Sequence, residues 1–134
     1  KRYTVPRLLI HKDAEQDLKD LAASQPKLAA RIVALLAQIS AAPWLVDMLT
    51  VHGFGSDQRE AFDVSRWQAY WGQGKDLWRL KFWELEHQGL PYRVIYALKR
   101  GTGDHFVLAI VSRDFNYDRN HPTTRRILQA YADL

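Results

Sequence analysis

The apolar positions keep a helical period through the first third of the chain and a period of two in the second half. In "KDAEQDLKDLAA" the residues Ala14, Leu18, Leu21 and Ala22 recur at helical spacing. Asp13 followed by Gln16 fits a capping box at its start. "SQPKLAARIVALLAQISAAP" carries a second apolar stripe of Leu28, Ile32, Leu35, Leu36 and Ile39. Ser24 or Gln25 would cap this helix, and Pro43 lies beyond its end. The short break at Ser24–Pro26 makes the two helices an antiparallel pair. Ahead of them "YTVPRLLI" reads as a short first strand, with Pro6 at its edge or start.

All seven glycines lie after residue 50. The pairs Gly53/Gly55, Gly72/Gly74 and Gly101/Gly103, together with Gly89, bracket three strands at about 77–86, 92–99 and 105–112. "PTTRRILQAYADL" then starts a last helix after Asn120 and His121. The expected order is β-α-α-β-β-β-α. That is an α+β domain: a small twisted sheet, the N-terminal helix pair packed on one face, and a C-terminal helix. Residues 52–76 fit this order least. They read as an enlarged loop in which "RWQAYWGQGK" forms either an extra hairpin or a short helix, with Trp67, Tyr70 and Trp71 extending the core.

A length of 134 residues suits a single domain spanning 1–134. Apolar runs such as 107–111 are far too short to span a bilayer, so no membrane partner is expected. No signal-peptide pattern is visible at the start. The absence of cysteine removes disulfides, thiol catalysis and Cys-based zinc sites, and fits a cytoplasmic protein. Net charge is +4, and it is unevenly placed. Residues 1–65 hold eight basic and eight acidic residues, whereas residues 66–134 hold eleven and seven. A basic half points to an anionic partner such as RNA, DNA or an acidic protein.

The candidate chemistry lies on the strands of that basic half. In "DLWRLKFWEL" Trp78, Leu80 and Phe82 share one face, while Arg79 and Lys81 share the other. Arg93 begins the next strand, in "YRVIYAL", and Arg113 follows the last one. One face of the sheet is expected buried and one open, which puts Arg79, Lys81, Arg93 and Arg113 at the rim of the open face. Exposed there, they would add little to stability. Close like charges repel unless an anion lies among them, and a phosphate is the natural one, since Arg grips it bidentately. The alternative is that each cation pairs with a nearby acid such as Glu84, Glu86, Asp114 or Asp118. The histidines His11, His52, His87 and His105 have no close metal-ligand spacing, no phosphate or dinucleotide loop is present, and Ser112 has no adjacent base. No metal and no other cofactor is expected.

"LWRLKFWELEHQGLPYRVIYALKRG" followed by "HFVLAIVSRDFNYDRNHPTTRRIL" resembles the RelE/ParE superfamily of bacterial toxins, nearer its RelE and HigB-like branch. The N-terminal strand and helix pair also fit, and residues 52–76 stand apart as the enlarged loop. The resemblance implies the toxin of a toxin–antitoxin pair: a metal-independent endoribonuclease that cuts mRNA in the ribosomal A site. In that family the ribose 2′-OH attacks the adjacent phosphate and leaves a cyclic phosphate and a 5′-OH end. The implied partners are mRNA on the ribosome and an antitoxin protein encoded nearby.

Carried over residue by residue, the resemblance places the family's basic residues at Arg79, Lys81, Arg93 and Arg113. Aligning "RRIL" with the same helix of relatives drops one catalytic Arg onto Asp114 and the late Tyr near Asn120 or His121. Lys81 would act as base, Arg93 and Arg113 would stabilise the phosphorane, and His121 or Tyr117 would protonate the leaving oxygen. Two other functions are compatible with the same fold. One is a ParE-like toxin that inhibits DNA gyrase by binding it. The other is a catalytically silent binding module, for which Asp114 is the best support.

Overall fold

The computed structural model of the chain describes residues 5–115 and 120–134. The helix pair forms where its apolar stripes fall. Helix α1, Lys12–Ser24, buries Ala14 and Leu18, and α2, Pro26–Ser40, buries Leu28, Ile32, Leu35, Leu36 and Ile39. The cap of α1 differs from the expected box. His11 is the N-cap, and its Nδ1 accepts from the Asp13 N–H at 3.1 Å, while Gln16 bonds Asp20 instead. Gln25 occupies the N-cap of α2 without a side-chain cap bond. Pro43 opens a further short helix, α3, Pro43–Asp47, continued by a 3-10 turn at Met48–Thr50.

Five strands build one sheet in the order β1-β5-β4-β3-β2. They are β1 Leu8–Ile10, β2 Phe62–Arg66, β3 Leu77–Phe82, β4 Tyr92–Lys99 and β5 Asp104–Ser112. The chain therefore has one strand more than expected. Within the segment read as an enlarged loop, β2 pairs antiparallel with β3 and closes that edge, and helix α4, Gln68–Trp71, follows it. The strand expected over 77–86 stops at Phe82, and α5, Trp83–His87, turns the chain into the β4 hairpin. β1 runs parallel to β5, and a bidentate pair from Arg7 to Asp104 (2.8 and 3.0 Å) clamps that edge.

Both faces of the sheet carry a core. Phe62, Val64, Trp78, Leu80, Phe82, Val94, Tyr96, Val107 and Ile110 pack against α1 and α2. The opposite face, expected open, is only partly so. Leu77, Ile95, Ala97, Leu108, Ala109 and Val111 lie beneath Ile127 and Ala130 of helix α6, Pro122–Ala132, with Trp67, Tyr70 and Phe115 beside them. Trp67 and Tyr70 thus extend the core as expected, whereas Trp71 stays 36% exposed, under the Arg66 guanidinium at 4.5 Å.

A β-bulge lets one strand serve both cores. Ile95 pairs with Ala109 but Tyr96 pairs with Val107, so Leu108 is an extra residue in β5. Val107 packs on the helix-pair face, Leu108 and Ala109 both on the α6 face, and Ile110 again on the helix-pair face. Among the described residues, no single helix is long and apolar enough to cross a membrane.

Candidate functional site

Among the described residues, α6 packs over Leu77, Ile95, Ala97 and the β5 residues Leu108, Ala109 and Val111, while Asp63, Ser65, Arg79 and Lys81 of β2 and β3 stay partly exposed. Strand register decides what lies there. Asp63 stands opposite Lys81 and Ser65 opposite Arg79, all on the face turned away from the helix pair. Arg93 follows on β4, opposite Val111. Arg113 opens the 3-10 turn after β5, where its backbone N–H donates to the Pro91 carbonyl at 2.7 Å. The side chains of Arg79, Lys81, Arg93 and Arg113 line one cleft of about 240 Å³, together with Asp63, Ser65 and Glu86. The four cations expected at a common rim are thus brought together.

They do not stand there as bare charges. Arg93 is only 11% exposed and grips Glu86 through two hydrogen bonds of 2.8 and 3.2 Å. The Lys81 ammonium lies 3.8 Å from an Asp63 carboxylate oxygen and 4.8 Å from the centre of the Trp83 ring. Trp83 is itself pinned, its indole N–H donating to the Gly55 carbonyl at 2.8 Å. Expected pairing with nearby acids is therefore right for Glu86 and wrong for Glu84. Glu84 points to α2, where the Arg31 guanidinium hydrogen-bonds it and holds its carboxyl below the usual range. Asp114 is exposed beside the cleft rather than within it.

Four cations against two carboxylates leave the cleft lining with a surplus of positive charge among the described residues. Such a site suits a group with several anionic oxygens. Guanidinium groups engage two oxygens at once, an ammonium engages one as a point charge, and the Ser65 hydroxyl can donate or accept. Among the described residues no cluster of three or more His, Asp or Glu side chains is placed to hold a metal ion.

Of the two expected proton donors, His121 does not join this constellation. His121 caps α6, its Nδ1 accepting from the Thr123 N–H at 3.1 Å, and its ring meets Phe115 edge to face at 5.4 Å. It lines a separate groove of about 310 Å³ with Asp17, Asp114 and Arg126. Tyr117 lies outside the described residues.

Asp63 and Trp83 are site residues that the sequence reading missed. A signal for Asp63 was present. "FDVS" alternates Phe62 and Val64 against Asp63 and Ser65, the period of a half-buried strand. Comparison of the chain with protein-family models, with curated proteins and with solved structures gives no match.

Proposed function

We propose that this chain is a RelE-like toxin that cuts mRNA on the ribosome, holding the scissile phosphate in the cleft between β2, β3 and β4. One observation carries the reading: Arg79, Lys81, Arg93 and Arg113, chosen by strand alternation and by the resemblance, converge on a single cleft. Arg93 is held in place by Glu86, so its guanidinium edge is preorganised for charge that develops on a phosphorane. Arg79 and Arg113 supply further donors, and Lys81 adds a point charge. Attack of the ribose 2′-OH on the adjacent phosphate would then proceed without a bound metal, giving a cyclic phosphate and a 5′-OH end. The mRNA substrate makes this a cytoplasmic activity, and an antitoxin with acidic residues fits the surplus charge of the cleft.

The test is primer extension on a translated mRNA with purified protein, with and without ribosomes. Cuts at defined positions that vanish in Arg79→Ala and Arg113→Ala support the reading. Intact message at every protein concentration sinks it. Exchanging Mg²⁺ for another divalent ion should leave cleavage in place, and dependence on one transition metal would overturn the mechanism.

A second reading is a catalytically silent binding module of the same fold. It is favoured by the position of His121, which lies in a different groove from the cation cluster. That module would bind RNA with the same salt dependence and leave it uncut. The gyrase-binding reading has no structural observation in its favour. DNA damage without translational arrest on expression would revive it.

A further inference from the structure

The two carboxylates of the cleft are not equivalent. Both Glu86 oxygens accept from the Arg93 guanidinium, so this carboxylate is spent on holding Arg93. Asp63 is different. Its contact with Lys81 is 3.8 Å, an ion pair too long for a hydrogen bond, which leaves carboxylate lone pairs directed to the cleft. Its side chain is 14% exposed, enough for substrate to reach and too little to be fully hydrated.

Lys81 has the opposite character. It lies over the face of Trp83 and beside Asp63, and both are contacts that an ammonium makes and an amine does not. An ammonium has no lone pair with which to take a proton. Trp83 cannot drift away to release it, because its N–H is tied to Gly55. Gly55 in turn lies close against β2, where a Cβ would sit 1.7 Å from the Phe62 carbonyl oxygen. The loop before β2, the first turn of α5 and the β2–β3 register thus all hold Lys81 as a cation against the one open carboxylate of the cleft lining.

We propose that Asp63, not Lys81, takes the proton of the attacking ribose hydroxyl, and that Lys81 is the cation that stays between this carboxylate and the phosphate. The proposal rests on the RNA-cleaving function argued above and names its base. The 2′-O–H proton passes to Asp63 as the 2′-oxygen forms its bond to phosphorus. The bond from phosphorus to the 5′-oxygen breaks, and that oxygen takes a proton from water. Asp63 returns its proton to the hydroxide so formed, and the products are the cyclic phosphate and the 5′-OH end. Neither electrons nor atoms are left over. Lys81, next to both groups, offsets the negative charge of the phosphorane and remains protonated throughout.

The experiment compares the wild type with Asp63→Asn, Asp63→Glu and Lys81→Arg. It measures cleavage of translated mRNA, and binding of a 2′-O-methyl RNA oligonucleotide that cannot be cut. Asp63→Asn should lose about 10²–10⁴-fold in cleavage rate while binding the oligonucleotide at least as tightly as the wild type. The wild-type rate should rise with pH along an acid limb that is absent from the residual activity of Asp63→Asn. Asp63→Glu, which keeps both charge and base, should retain that limb. Lys81→Arg should cleave within about tenfold of the wild type, because charge is kept and no base is lost. Cleavage by Asp63→Asn at the wild-type rate overturns the proposal. So does loss of cleavage in Lys81→Arg with Asp63→Asn still active, which returns the base to Lys81. A wild type that binds the oligonucleotide and cuts no message overturns the parent function and the base with it.

Discussion

Arg93→Ala should be a stability variant as much as a functional one. The guanidinium is 11% exposed and its partner Glu86 19% exposed. Two hydrogen bonds join them, and Nη1 also donates to the Tyr92 carbonyl at 3.1 Å. Truncation therefore leaves a carboxylate mostly out of water with no counter-ion. Breaking a buried pair from one side costs about 3–5 kcal/mol. Glu86 keeps some access to water, so the lower end, about 3 kcal/mol, is expected here. With a urea slope of about 2 kcal/mol per molar, the unfolding midpoint should fall by about 1.5 M. Glu86→Gln removes the stranded charge, so adding it to Arg93→Ala should recover part of the loss. The double-mutant cycle should report a coupling of about 0.5–3 kcal/mol. An Arg93→Ala midpoint within about 0.2 M of the wild type would refute the reasoning, and Arg93 would then be the surface cation its place in the sequence suggested. Any cleavage defect of Arg93→Ala has to be read at a temperature where the variant is folded.

Three further outcomes follow from the packing. Trp78 is 1% exposed, donates to Asp76 and meets Trp71 edge to face at 5.3 Å, so Trp78→Ala should cost about 3–5 kcal/mol in urea unfolding. Gly55 has φ +81° and no room for a Cβ, whereas Gly53 has φ +87° and open space around it. Gly55→Ala should therefore destabilise well beyond the roughly 1 kcal/mol of backbone strain expected for Gly53→Ala, and equal urea midpoints for the two would contradict the close approach to Phe62. His105 is 4% exposed with neither ring nitrogen hydrogen-bonded, and burial pushes its pKa below the ordinary value of 6.5 against the opposing pull of Asp47, Asp104 and Asp76. The unfolded chain then binds the proton more readily, so this group's contribution is intact above about pH 6.5 and is lost as pH falls through the lowered folded value. Urea midpoints from pH 8 to pH 5 should show that loss in the wild type and a smaller one in His105→Phe.

What was legible in the sequence follows from where a single period rules. α1, α2 and α6 each bury one stripe, and β4 and β5 are apolar runs that start just after glycine turns, so their existence could be read directly. The cation set was legible for the same reason, since period two on β3 separates Arg79 and Lys81 from Trp78, Leu80 and Phe82. The end of β3 was not. Trp83 and Leu85 fall on the parity of Arg79 and Lys81 rather than that of Trp78, Leu80 and Phe82, which marks a break, yet the five residues of α5 are too few to tell the two periods apart. β2 was hidden by its length and by the polar loop of 52–61 before it. With β2 went Asp63, which the register sets opposite Lys81 from a strand 18 residues away in sequence. The second core had a signal that went unread, since the continuous apolar run 106–111 on β5 is the pattern of a strand covered on both faces, although it does not say which helix covers the second.

The bulge at Leu108 settles a question of parity. Counting by twos from Val107 on the helix-pair face would carry 109, 111 and 113 to that same face. The additional residue inverts the count, so Ala109 and Val111 lie on the α6 face and Arg113 arrives at the cleft. One backbone unit thereby decides which of two neighbours in the sequence, Ser112 or Arg113, has the parity of the cleft face. Changes of side chain at Leu108 would alter packing. Deletion of the residue would remove the bulge and leave Ala109, Val111 and Arg113 on their present sides; only a regular strand that kept every residue would trade the guanidinium for a hydroxyl.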